Sequence, residues 1–141
     1  MLPAVFRAVL DTNVIVAALR SSSGASFQIL QAADRGEFEF ALSVPLLAEY
    51  DDVSQRPDSG IEIEPAEVDA IIRRLAAIAY KQPIYYLWRP VLPDPKDDMV
   101  LELALAATAS HIVTFNRKHL QRAEEYGIKV SSPAEFIAEL S

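Results

Sequence analysis

Along this chain, short unbroken apolar runs alternate with stretches whose apolar residues recur at helical spacing. Ala4-Val5-Phe6-Arg7-Ala8-Val9-Leu10 reads as a buried strand, and Asp11-Thr12-Asn13 ends it with cap-forming polar residues ahead of a helix over Val14–Leu19. After the break at Ser21-Ser22-Ser23-Gly24, a second helix runs over Ala25–Asp34 and closes near Gly36. Phe38 to Ser43 is a second strand, and Ser43 with Pro45 opens a helix carrying Leu46, Leu47, Glu49, Tyr50 and Val53. Residues 56–65 form a loop. Val68, Ile71, Ile72, Leu75 and Ile78 then make one stripe of a helix over Ala66–Tyr80, followed by a short strand or extended segment over Ile84–Trp88. Asp94-Pro95 starts a helix reaching about Ala109. His111–Thr114 is a strand, Lys118–Tyr126 a helix, Ile128–Val130 a strand, and Ser132-Pro133 begins the last helix. Strands separated by helices need crossover connections. The pattern therefore predicts one α/β domain over residues 1–141, a three-layer α/β/α arrangement with a mainly parallel central sheet and helices on both faces.

Composition narrows the chemistry. With 141 residues, 51% apolar and 23% charged, the chain is globular and buries roughly 68% of its unfolded surface, enough for a core without staples. It has no cysteine, which excludes disulfides, thiolate metal sites and a thiol nucleophile. The balance of 13 basic against 20 acidic residues gives a net charge of −7, which argues against a generic electrostatic grip on nucleic acid and permits a cleft that recruits cations. Neither a secretion signal nor an apolar stretch of membrane-spanning length is visible, so a cytoplasmic protein is expected.

In an open parallel sheet, ligands bind beyond the carboxyl ends of the strands. Asp11, Ser43 and Asn116 fall there, while Glu49 and the Asp97-Asp98 pair lie early in the following helices. Hard oxygen ligands gathered at one edge suit Mg²⁺ or Mn²⁺. Each residue also has a purely structural reading. Asp11 can cap a helix, Glu49 can sit on a solvated face, and Asp94 and Asp97 suit a helix N-terminus. Asp98 has no such local task, and Leu101 and Leu105 follow it at helical spacing, which turns it inward. Thr12, Asn13 and Thr114 are candidates to fix the carboxylates by hydrogen bonds; Arg20, Arg117, Lys118 and Arg122 are nearby cations that read equally as ordinary surface residues.

The segment Val9-Leu10-Asp11-Thr12-Asn13-Val14-Ile15-Val16 resembles the opening of a PIN domain. Ser43-Val44-Pro45-Leu46-Leu47-Ala48-Glu49-Tyr50 is similar to that family's second block, Asp94-Pro95-Lys96-Asp97-Asp98 with its Ala-rich helix to the third, and Ile112-Val113-Thr114-Phe115-Asn116 to the fourth. The blocks occur in the family's order over residues 5 to 120, and the third block and the length resemble the branch of toxins from toxin–antitoxin pairs. The resemblance implies a Mg²⁺- or Mn²⁺-dependent ribonuclease with Asp11, Glu49, Asp98 and Asn116 as the catalytic quartet, and Asp11, Asp98 and Glu49 as metal ligands. A one-residue helix shift exchanges Asp97 and Asp98. Asn116 departs from the family's usual Asp, which removes a charge and points to a single metal. The resemblance further implies a homodimer and a cognate antitoxin on a separate chain; apolar surface on the Ala66–Tyr80 helix and on Tyr85-Tyr86-Leu87-Trp88 also suggests self-association. Two rival readings are a PIN-like binding module inactivated at Asn116 and a receiver-like phospho-acceptor, for which the required acidic pair and late lysine are missing.

Overall fold

The computed structural model describes residues 6–84 and 92–140. Strand β1 (Arg7–Leu10) is buried along its last three residues, since both faces of the sheet are covered. Asp11 ends it by turning into α1 (Thr12–Arg20), and α2 (Ala25–Asp34) returns the chain to β2 (Glu39–Leu42). Ser43 caps α3 (Val44–Ser54), its hydroxyl accepting the Leu46 N–H at 3.3 Å with Pro in the first turn. Next come α4 (Pro65–Ile78), β3 (Tyr80–Lys81) and α5 (Pro95–Ala106), the last capped by Asp94, whose Oδ1 accepts the Lys96 N–H at 2.9 Å. β4 (His111–Val113) and β5 (Lys129–Ser131) flank α6 (Arg117–Leu120), and α7 (Pro133–Leu140) completes the described chain.

Two expected helices end earlier than their patterns imply, and one expected segment falls outside the described residues. The helix expected over Ala66–Tyr80 stops at Ile78, because Ala79 takes an extended conformation and releases Tyr80 to the sheet. Tyr80 and Lys81 then pair with Ala41 and Leu42, and the Arg7 guanidinium lies 3.9 Å from the Tyr80 ring centroid. The strand or extended segment expected over Ile84–Trp88 lies, apart from Ile84, outside the described residues. The helix expected over Lys118–Tyr126 is α-helical only to Leu120 and tightens to 3₁₀ from Gln121 to Tyr126, where Gly127 at φ 81° supplies the left-handed exit.

Among the described residues the five strands are parallel, in the order β3-β2-β1-β4-β5. The chain therefore builds outward from β1 through β2 to β3, then returns to place β4 on the other side of β1. That reversal opens a crevice at the carboxyl ends of β1 and β4. The Asp11 N–H donates to Val113 O at 2.9 Å and fixes the two strand ends side by side. Leu10, Ile15, Phe40, Leu103 and Ile112 fill the core beneath. At the opposite end of the sheet, buried His111 ties β4 to α7, with Nε2 2.9 Å from Glu139 Oε2, while Phe136 packs edge-on against Phe38. No helix among the described residues is long and apolar enough to cross a membrane.

Candidate active site

Asp11 occupies the crevice by necessity of its position: it is the first residue after β1 and the N-cap of α1. Its Oδ1 accepts the Thr12 N–H at 2.8 Å and its Oδ2 accepts the Thr114 O–H at 2.8 Å, across from β4. Thr114 Oγ1 in turn accepts the Asn116 N–H at 2.9 Å, which leaves its one hydrogen for Asp11. Asn13 Oδ1 accepts the neighbouring Phe115 N–H at 3.4 Å. The buried Tyr50 hydroxyl donates to Leu10 O, locking β1 to α3, the helix that carries Glu49. Burial, and secondarily the Asp11 charge, push the Tyr50 hydroxyl well above its ordinary titration range, so it remains a donor.

One cleft of about 400 Å³ collects Asp11, Thr12, Asn13, Glu49, Asp94, Asp97 and Asn116, together with Arg20, Arg56, Lys96 and His119. Burial pushes the Asp11 carboxyl above its usual range; the Thr114 and Thr12 hydrogen bonds pull it back, and the charges of Asp97 and Asp94 add to the rise. Asp97 is raised as well, by burial and then by Asp94, with His119 opposing. Glu49 lies across the cleft with Oε1 3.3 Å from Lys96 Nζ, and Asp97 Oδ2 is 3.7 Å from His119 Nδ1.

Asp98, expected among the metal ligands, is placed elsewhere. It is buried as the sequence suggested, yet its Oδ1 accepts the Leu92 N–H at 3.0 Å and it does not line the cleft. One helical step, 100° of rotation, separates the two aspartates, and the cleft receives Asp97. Of the expected cations, Arg20 lines the cleft with its Nε–H given to Ser59 O, where a Cβ on Gly60 would come within 2.9 Å of that nitrogen. Arg117 pairs with Glu135 at 2.8 Å and Arg122 with Glu125 at 3.5 Å, while Lys118 and Arg117 line a neighbouring polar pocket. Arg56, Lys96 and His119 were not anticipated, since nothing local in the sequence marks a helix-surface cation as facing a distant carboxylate.

The sequence model of the PIN domain matches residues 7–118. The chain belongs to the PIN-domain family. A similar fold occurs in the crystal structure of VapBC2 from Rickettsia felis bound to a DNA fragment from their promoter, with a TM-score of 0.61 and 16% identity over 89% of this chain and 98% of that one. A comparison with the curated proteins finds no match. The PIN-domain match includes every acidic residue of the cleft and Asn116, and ends one residue short of His119.

The donor chemistry of this PIN-domain cleft fits a small hard dication, since Asp11, Glu49 and Asp97 offer carboxylate oxygens and repel one another. No three Asp, Glu or His side chains among the described residues form a preassembled metal cage. Lys96 on Glu49 instead supplies positive charge locally, standing in for a cation, and His119 Nδ1 faces Asp97 at 3.7 Å. Lys96→Met is accordingly expected to raise Mn²⁺ affinity by roughly two- to fivefold, the range of a partly exposed charge interaction, as read by calorimetric titration. Unchanged or weaker Mn²⁺ binding would show that Lys96 does not compete at this cleft.

Proposed function

We propose that this chain is a divalent-metal-dependent endoribonuclease that hydrolyses RNA phosphodiesters, the toxin of a toxin–antitoxin pair. The observation that carries this reading is Asp11, nine-tenths buried at the β1/β4 crevice, held by Thr114 and crowded by Asp97 and Asp94 with Glu49 opposite. Asp11, Asp97 and Glu49 would hold Mg²⁺ or Mn²⁺. When bound, such an ion polarises a phosphate oxygen and lowers the pKa of a coordinated water. Glu49 would orient the attacking water, whose oxygen bonds to phosphorus as the P–O bond to the leaving ribose oxygen breaks and the water's proton passes to that oxygen, while Thr114 keeps the Asp11 carboxylate aimed into the cleft. Lys96, released from Glu49, and Arg56 offset the charge of the phosphate chain. Asn116 takes the fourth position as a neutral side chain, which suits one metal ion better than two. The absence of cysteine is no obstacle, because direct attack by water needs no protein nucleophile.

Cleavage of a single-stranded RNA by the full chain in Mn²⁺, silent in EDTA, is the test of this reading. Cleavage at the same rate in EDTA would overturn it. The proposal extends to a cytoplasmic setting, a cognate antitoxin on another chain and a homodimer. The apolar groove between α2 and α4, lined by Phe27, Leu30, Ile71 and Leu75, supports a protein partner. Sedimentation at tens of micromolar is expected to show a dimer rather than 15.6 kDa monomers alone.

A further inference from the structure

Four large apolar or aromatic side chains among the described residues are exposed: Val44, Tyr80, Phe115 and Tyr126. Three have a local explanation. Tyr80 lies against the Arg7 guanidinium, Val44 lines an apolar groove with Leu47 and Ala76, and Tyr126 presents a hydroxyl to water. Phe115 has none: its side chain offers no polar atom, it is 55% exposed, and among the described residues no ring or cation packs on it.

Its backbone, by contrast, is closely held. The Phe115 N–H donates to Asn13, the next N–H donates to Thr114 Oγ1, and Thr114 donates to Asp11. Both Asn13 and Asn116 line the acidic cleft, so the backbone of Phe115, which does not itself line it, is anchored between two cleft residues. Beyond Asn116 come two exposed cations, Arg117, which pairs with Glu135, and Lys118. An aromatic face beside cations is the arrangement that binds single-stranded nucleic acid without reading its sequence. In a chain of net charge −7, bulk electrostatics cannot supply that affinity, so an uncharged contact carries unusual weight.

We propose that Phe115 is a stacking platform for one base of the RNA strand, setting which phosphodiester enters the cleft. The inference rests on the ribonuclease reading above. Stacking holds the base beside the cleft and thereby registers the adjoining phosphate over Asp11, a positioning role that takes no part in the bond breaking itself.

The test is binding of a labelled single-stranded RNA in EDTA by the full chain and by Phe115→Ala, Phe115→Tyr and Phe115→Leu, each checked by its melting curve. Phe115→Ala and Phe115→Leu are expected to weaken binding about tenfold, and Phe115→Tyr to hold it within about twofold, with the salt dependence unchanged because no charge is removed. Removing bases from the RNA one at a time is expected to reveal one position that matters to the wild type and no longer matters to Phe115→Ala. Wild-type affinity in Phe115→Ala, full rescue by Phe115→Leu, or no RNA binding by the wild type would each overturn the platform. Altered sedimentation of Phe115→Ala with unaltered RNA binding would also overturn it, in favour of a protein contact. The two proposals fail separately: a wild type that binds RNA through Phe115 but never cleaves it contradicts only the ribonuclease, and cleavage indifferent to Phe115 contradicts only the platform.

Discussion

Replacing Asp11 by asparagine is expected to abolish metal-dependent RNA cleavage while leaving a folded protein. The fold fixes Asp11 on three sides: its carboxylate accepts from the Thr12 N–H of α1 and from Thr114 at the end of β4, and its backbone N–H donates to Val113. No neighbouring oxygen can move into its place, because Glu49 and Asp97 are carried by separate helices. The amide keeps an oxygen for one of the two hydrogen bonds and removes the charge a dication needs. Burial already makes that charge costly in the metal-free protein, so its removal does not by itself threaten the fold. Single-turnover cleavage and a melting curve on the same sample separate the two effects. Full cleavage by Asp11→Asn with metal still required would sink the assignment of the site.

The second large effect distinguishes two adjacent aspartates. Asp97→Asn is expected to lower cleavage by about 10²-fold or more, since loss of even an indirect contributor to a metal site costs roughly 10- to 100-fold. Asp98→Asn is expected to stay near wild type, because an amide oxygen can still accept the Leu92 N–H. Asp98→Ala is expected to lose about 1–3 kcal/mol of stability through the orphaned N–H, with activity falling only as far as folding does. Parallel cleavage assays and denaturant titrations of the three variants decide the matter. A collapse of activity in Asp98→Asn with Asp97→Asn intact would restore the assignment that the sequence pattern favours.

That reversal shows where sequence reading stops. The β1 run ending at Asp11, the Ser43 and Asp94 caps and the Thr114-Phe115-Asn116 turn are local features, decided by neighbours within a few residues, and each is where the pattern expects it. The parallel sheet follows from strands separated by helices. The spacing of Leu101 and Leu105 turns Asp98 inward and it is buried, but inward on α5 means the packing around Leu92 rather than the crevice. Only the orientation of α5 over β1 and β4 could tell these apart. The pairing of Lys96 with Glu49 is likewise a contact between α5 and α3, invisible to any local pattern. Tyr80 escaped for a related reason. The stripe from Val68 to Ile78 carries no Gly or Pro to end it, and the helix stops because the edge of β2 offers backbone partners to Tyr80 and Lys81.

The carboxylates at the β1/β4 crevice are proposed to form a divalent-cation site that depends on Asp11. Calorimetric titration of Mn²⁺ into the wild-type chain and into Asp11→Asn tests it most directly. Saturable binding by the wild type that vanishes in Asp11→Asn is the predicted result; absence of binding in the wild type, or equal binding in both, would contradict it.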